Sequence, residues 1–336
     1  VSDAVSTTPD PEQADEAAAR ALREGVALVA VAAADHLDLA GVDRVRFLHN
    51  LTTCDVRSLA SGASVRGFLT DVKGHVLSDV DVVALEERFR LRLPPGRGGP
   101  IAGHLARYVI ADRVEITPRS DLAAAELRGA RAPALLEALG AAPPEAGGAH
   151  HAIELGGVAV RVRARRPARW PRLELSASAV ELPAALAALR AAGAGGALVE
   201  AGPGALEAVR VEDGELLWGV DYGAGNFPQE TGEEAAVSTT KGCYLGQEVV
   251  ARLHFRGQLQ RLARGLVFDA GARPEPGAEL VAGDGRPAAR VTSVARSYAL
   301  GRWVGLALVH RRAAEPGTRL ALPDGKSAEV RALPLV

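Results

Sequence analysis

From residue 260 onward the chain breaks into short apolar runs, 262–268, 289–294, 303–309 and 328–333, separated by Gly and Pro at strand-and-turn spacing. Runs this short and this often interrupted cannot build a helical core; they specify a small β-barrel or sandwich. The change of texture falls at 257–260, just behind a helix read over 246–255 that Gly257 terminates. A C-terminal unit of 258–336 is thereby set apart, and the remainder has to find a different architecture.

That remainder alternates between strand and helix patterns, the signature of α+β layers. Residues 1–12, polar with Pro9 and Pro11, read as a disordered lead, and 13–23 as an Ala-rich helix before a strand at 26–31. Asp43 is placed to cap a helix whose apolar positions Val45, Leu48 and Leu51 deliver Thr52, Thr53, Cys54 and Asp55 to its end. Strands at 64–69 and 75–84 flank the turn Asp71-Val72-Lys73-Gly74; a strand at 88–93, a helix at 101–109 and a strand at 114–116 complete a first unit, 13–120. A second unit, 121–257, has strands at 122–127, 158–162 and 173–175, helices at 132–139 and 182–191, and a loose linker at 141–148. The recurrence hints at an internal structural duplication.

With 336 residues, more than one core is needed. Lys+Arg 39 against Asp+Glu 41 leaves a net charge of −2, so no overall positive field advertises nucleic acid. The Arg run at 161, 163, 165, 166, 169 and 172 begins at strand spacing and reads as the wet face of an edge strand. Two cysteines, Cys54 and Cys243, permit one bridge at most and neither a disulfide framework nor a Cys-built zinc site. The histidines show no metal-ligand spacing, and the pair His150-His151 reads as loop. No stretch approaches the ~20 apolar residues of a membrane span, and 26–34 lacks the basic start of a secretory signal, so a cytoplasmic protein is expected.

Chemistry concentrates in Lys241-Gly242-Cys243-Tyr244-Leu245-Gly246-Gln247-Glu248. A thiol just ahead of a helix, with Lys241 two residues away, is biased toward thiolate. The competing reading, from composition alone, is a small buried hydrophobe. Farther upstream, Arg210-Val211-Glu212-Asp213-Gly214, Gly219-Val220-Asp221 and Pro228-Gln229-Glu230 gather carboxylates around a Gly-rich stretch, which by itself reads as a solvated acidic loop.

The string from Lys241 to Glu248 resembles the signature Lys-Gly-Cys-Tyr-x-Gly-Gln-Glu of the YgfZ-type folate-binding proteins, a family involved in iron–sulfur cluster assembly or repair. Phe47-Leu48-His49-Asn50 through Asp55-Val56, Asp71-Val72-Lys73-Gly74-His75, Arg210 to Gly214 and Val291-Thr292-Ser293 are similar to blocks of that family and of the related glycine-cleavage aminomethyltransferases. The resemblance implies two ferredoxin-like α+β units and a C-terminal β-barrel around a central folate-sized opening. It also implies a cofactor, tetrahydrofolate or a one-carbon derivative. Glu212 would hold the pterin amino group, Asp55 would act near the folate N5 and N10, and Asp71, Lys73, Tyr244 and Arg252 would line the cofactor site, with Arg252 and Arg256 toward its glutamate tail. Cys243 would be the functional thiol, Lys241 its activating cation and Cys54 structural.

One thiolate cannot hold a cluster that ordinarily takes four protein ligands, so no stably bound metal or cluster is expected. The implied partners are folate and, transiently, iron–sulfur client enzymes or assembly proteins, with neither nucleic acid nor membrane. Three functions remain open at this point: an accessory protein for iron–sulfur enzymes, a folate-dependent aminomethyl or methyl transferase, and a folate sensor reporting redox state through Cys243.

Overall fold

The computed structural model describes residues 11–30, 34–145, 147–165, 169–255, 257 and 259–336. Most of the expected lead lies outside them, as do Val31, Arg166 and Arg256. Behind residue 260 the short runs form a closed six-stranded barrel, in the order Arg261–Phe268, Arg302–His310, Pro287–Ser297, Glu279–Val281, Arg319–Ala321 and Ser327–Arg331, which returns to Arg261–Phe268. Leu266, Phe268, Val291, Val309, Leu320 and Val330 fill its interior. Each fully buried side chain of this size contributes about 1.5–3 kcal/mol.

Ahead of the barrel stand two α+β layers, the first sheet antiparallel throughout and the second antiparallel but for one short pair. The first sheet runs Ser64–Thr70, Val76–Ala84, Arg88–Leu93, Asp35–Ala40, Glu115–Pro118. Leu37, Leu39, Leu69, Val80, Val82 and Leu91 of this sheet pack on the helices Arg44–His49 and Gly98–Ala106. The second of these helices begins at Gly98, earlier than its apolar periodicity suggests, because Asp35 Oδ2 accepts the Gly98 N–H at 2.7 Å from a distant strand. Asp43 precedes the first helix but caps nothing with its side chain; its carboxylate accepts the Arg113 N–H at 2.9 Å instead.

The second sheet runs Val199–Glu200, Ala27–Val29, Leu122–Arg128, Arg172–Ser178, Val158–Ala164, His150–Leu155. Ala27–Val29 thus leaves its sequence neighbours and pairs parallel with Val199–Glu200 and antiparallel with Leu122–Arg128, so the first sheet begins only at Asp35. The helix Pro11–Ala21 follows it and packs against the helix Pro203–Asp213. His150 and His151 open an edge strand rather than a loop: His150 is buried, with Nε2 3.0 Å from the Ala84 carbonyl and Nδ1 3.0 Å from Arg161.

The largest correction concerns the Arg run. Alternation along Val158–Ala164 is as expected, with Val160 and Val162 on the helix side. The opposite face, however, is not wet, because the first sheet covers it. Arg163 is 4% exposed and donates to Asp81 at 3.0 Å and Glu174 at 2.9 Å, while Arg92 of the first sheet pairs with Glu174 and Arg165 with Glu126. The two layers are joined by a buried ionic network.

Burial alone would raise the carboxyls of Asp81, Glu126, Glu174 and Glu215, but the surrounding guanidinium groups outweigh it and hold all four low, Glu215 at about 2. Burial pushes the imidazoles of His36 and His150 down to about 4. A depressed carboxyl stabilises the fold above its unfolded pKa near 4 and loses that contribution as the pH falls through its folded value. A histidine kept neutral by burial destabilises once the pH drops below about 6.5, where only the unfolded chain takes up the proton. The urea midpoint is therefore expected to hold between about pH 8 and 6.5, to decline below that, and to decline more steeply below about pH 4.5. A midpoint flat down to pH 4 would contradict the network.

Candidate functional site

The signature loop belongs by sequence to the second unit but is laid against the end of the helix Arg44–His49 in the first. Ser238 N–H donates to the Thr53 carbonyl at 2.9 Å and Thr53 Oγ1 donates to the Ala236 carbonyl at 2.7 Å, fixing the loop's entry. Lys241, 8% exposed, then reaches inward. Its Nζ donates to the carbonyls of His49, Thr52 and Cys54, the last at 2.9 Å. These are acceptors that a helix end leaves unsatisfied, and a cation is the natural group to take them. Burial lowers the ammonium to about 8, against the pull of Cys54 and Asp55. Beneath it lies the ring of Tyr244, centred 5.1 Å from Nζ, with its hydroxyl pushed up to about 12 by burial.

The loop's exit is equally constrained. Leu245 N–H donates to the Asn50 carbonyl at 2.9 Å, and Thr70 Oγ1 donates to the Leu245 carbonyl at 2.6 Å. Gly246 sits at φ +81° where a Cβ would come within 2.4 Å of the Asp71 carbonyl and 2.9 Å of Gly74, so only glycine fits. The signature and the Asp71–His75 turn are thereby held in contact. In that turn Asp71 accepts N–H groups from Lys73 at 2.8 Å and His75 at 2.9 Å, so its carboxylate organises the backbone; the Lys73 side chain is exposed.

Cys243 itself is exposed. The following helix starts only at Gln247, so the thiol lies outside its first turn, and the ammonium of Lys241 is committed to carbonyls. Both arguments for activating the thiol from sequence therefore lose their geometry. What stands beside the loop is His49. Its side chain is 2% exposed, neither ring nitrogen has a hydrogen-bond partner, and Nδ1 lies 3.3 Å from Asp55 Oδ1. Burial raises the Asp55 carboxyl, but the N–H of Arg57 at 2.9 Å and the hydroxyl of Ser58 at 3.0 Å outweigh it and keep it ionised. Burial, then Lys241 and Arg57, lower the His49 imidazole against Asp55, so the ring is neutral near pH 7. Cys54 is a free, buried thiol whose Sγ would lie 2.5 Å from a Cβ on Gly67, and burial pushes it up to about 11. It packs and does not react.

On the other face of the same strand pair lies a group that sequence reasoning missed. Phe68 is paired with Asp79, and Phe68 N–H donates to Thr53 Oγ1 at 2.8 Å, which ties this face to the loop. Asp79 Oδ2 lies 3.0 Å from Arg66, but its Oδ1 is buried without a partner. Trp218 Nε1 is also buried without a partner, while the Tyr222 hydroxyl, its pKa raised by burial, faces the Asp79 carboxylate without an aligned hydrogen bond. The Tyr222 ring meets Phe68 edge-on with centroids 6.4 Å apart, and the Arg97 guanidinium lies 4.1 Å above the Trp218 ring. Polar atoms with no aligned partner are thus gathered beside two aromatic rings. One signal was available in the sequence: Asp79 and Asp81 stand at alternate positions in an otherwise apolar strand.

Glu212 is not on a solvated loop. It closes the helix Pro203–Asp213, is 1% exposed, and its carboxylate accepts from Arg23, Ser297 and the Ala299 N–H. Gly214, at φ +73°, caps that helix. One turn back, Arg210 pairs with Asp221 at 2.7 Å, and Asp221 accepts from Thr292 and, at 2.7 Å, from Ser293. The acidic blocks join helix to barrel. Arg252 is exposed on the helix Gln247–Phe255. A groove of about 480 Å³, lined by Phe47, Asn50, Leu51, Tyr108 and Leu245, runs beside the loop, and a more apolar cavity of about 460 Å³ lies between Leu122–Ala124 and Leu182–Leu186; neither is lined by Cys243, Asp55 or Glu212. Among the described residues no group of three or more His, Cys, Asp or Glu could hold a metal ion, and no helix is long and apolar enough to cross a membrane.

Residues 8–241 match the family model described as the GCVT N-terminal domain, and 261–336 match the glycine cleavage T-protein C-terminal barrel domain. The chain is 27% identical over 245 residues to the tRNA-modifying protein YgfZ of Yersinia pseudotuberculosis, covering 72% of this chain and 71% of that one. It is 26% identical over 327 residues to a putative chloroplastic transferase of Arabidopsis thaliana, covering 95% and 73%. The crystal structure of glycine cleavage system aminomethyltransferase T from Bartonella henselae superposes with a TM-score of 0.84 at 19% identity, over 96% of this chain and 89% of that one, a likeness of fold.

Proposed function

Because the chain belongs to the GCVT N-terminal domain family and carries that family's C-terminal barrel, we propose that it is a tetrahydrofolate-binding accessory protein supporting assembly or repair of iron–sulfur clusters in client enzymes, with Cys243 as its working thiol. The observation that carries folate binding is the set of orphaned polar atoms on Asp79, Tyr222 and Trp218 beside aromatic rings. A pterin is flat and edged with amide-like donors and acceptors. The free Asp79 oxygen suits its amino and ring N–H groups, and the Tyr222 and Trp218 donors suit its carbonyl and ring nitrogens. Bound there, the folate supplies a one-carbon unit or its acceptor. Glu212 and Asp55 keep the roles that the resemblance implies only with rearrangement, since Glu212 must release Arg23 and Asp55 already accepts from Arg57 and Ser58.

The relatives' name places them in tRNA modification. We read that connection as one made through a client enzyme, since the net charge of −2 gives this chain no overall positive field for RNA. The name of the plant relative favours a second reading, a folate-dependent one-carbon transferase.

Titration calorimetry with tetrahydrofolate tests the shared premise. Wild type should bind, and Asp79→Asn and Tyr222→Phe should each weaken binding about three- to tenfold, the loss of one hydrogen bond. Tyr222→Phe removes a hydroxyl that faces Asp79 without an aligned hydrogen bond, so its fold should stay within about 1 kcal/mol of wild type. No binding heat with wild type would end the folate reading. Formation of methylenetetrahydrofolate from an aminomethyl donor would decide for the transferase.

A further inference from the structure

The thiol of Cys243 has a proton acceptor that its own signature does not contain. We infer that His49, backed by Asp55, takes the proton of the Cys243 thiol. The inference rests on reading Cys243 as the working thiol. Three observations converge on it. His49 Nε2 is the one heavy atom outside the neighbouring residues within 4 Å of where a Cβ on Gly242 would stand, at 3.9 Å, so the ring edge is presented to the loop at the residue before the thiol. That nitrogen is buried and has no partner, which is costly unless something uses it. On the far edge of the ring, Asp55 Oδ1 lies 3.3 Å from Nδ1, out of line for a hydrogen bond but close enough for its charge to favour a positive ring.

Lys241 cannot serve instead, because its three donors are turned onto the carbonyls of His49, Thr52 and Cys54. Its charge does bear on the ring, together with Arg57 and against Asp55. The imidazole is therefore neutral before reaction. As sulfur attacks an electrophile, the S–H bond breaks, the sulfur keeps its electron pair, the proton forms a bond to Nε2, and the positive ring faces the Asp55 carboxylate.

The test is the pH dependence of Cys243 alkylation by iodoacetamide on the full chain, with Cys243→Ala as the blank for the buried Cys54. In wild type the rate should rise at a lower pH than for a free thiol, near 8.5. In His49→Gln the rising limb should move up by about one pH unit, a roughly tenfold slower reaction at pH 7, with a thermal midpoint near wild type. Asp55→Asn should shift the limb the same way by less, and it decides the matter should His49→Gln not fold. Superimposed wild-type and variant profiles, or a wild-type limb at the free-thiol position, would overturn the inference. Neither readout depends on cellular function. A shifted profile with a functional Cys243→Ala protein would leave the proton acceptor standing and remove the working-thiol reading, and the opposite pair of results would do the reverse.

Discussion

Arg163→Ala is expected to destabilise the protein by about 3–5 kcal/mol, a large share of the 5–15 kcal/mol that holds a typical domain together. The guanidinium is 4% exposed and bridges Asp81 of the first sheet to Glu174 of the second. Truncation leaves two carboxylates in a dry interface. Arg92 remains on Glu174, and Arg165 lies 3.8 Å from Asp81, so the loss should fall short of abandoning both charges. Urea denaturation at pH 7.5 measures it directly. A second variant separates the pair from the residue: Arg163→Met combined with Glu174→Leu removes both charges, and replacing a buried pair with apolar groups commonly recovers stability. A cost below about 1 kcal/mol for Arg163→Ala would restore the wet-face reading of the Arg run.

Cys243→Ala should separate function from fold more cleanly than any other single change. The thiol is free and exposed, so its removal should leave stability within about 0.5 kcal/mol. Function should nevertheless be lost. In a host lacking its own copy of this gene, wild type should restore cluster-dependent enzyme activity, whereas Cys243→Ala should restore it at least about tenfold less well, the scale on which loss of a nucleophile or its activation shows. Full rescue by the variant would remove the thiol from the mechanism, even with folate binding intact.

What was legible in the sequence was periodicity. Val80 and Val82, or the barrel runs ending at Phe268 and Val309, alternate or cluster as strands do, and the structure follows them closely. What periodicity does not encode is which molecular face meets which. The spacing of Arg163 and Arg165 was read correctly, yet only the approach of the first sheet makes their side of the strand dry. The helix Pro203–Asp213 was hidden by its own terminus, where Gly214 and several carboxylates look like a loop, although Ala205, Ala208, Val209 and Glu212 lie on its buried side. Lys241 was expected to act on its neighbour in sequence, whereas folding offered it stronger partners across the molecule. Asp79 and Tyr222, from different units, meet only in three dimensions, a proximity no sequence displays.

The clamp of Lys241 joins atoms 187 to 192 residues apart along the chain. Contacts of such sequence separation close the largest loops and come late, once local structure is in place. A nascent chain that stops before residue 241 has a complete first sheet but no signature loop, and a chain that has just made the loop has nothing to seat it on until the helix Arg44–His49 is folded. The ordering acts as a timing device: Lys241 and Tyr244 find their seat only once the helix Arg44–His49 is folded, so the signature loop takes its shape as the two units meet.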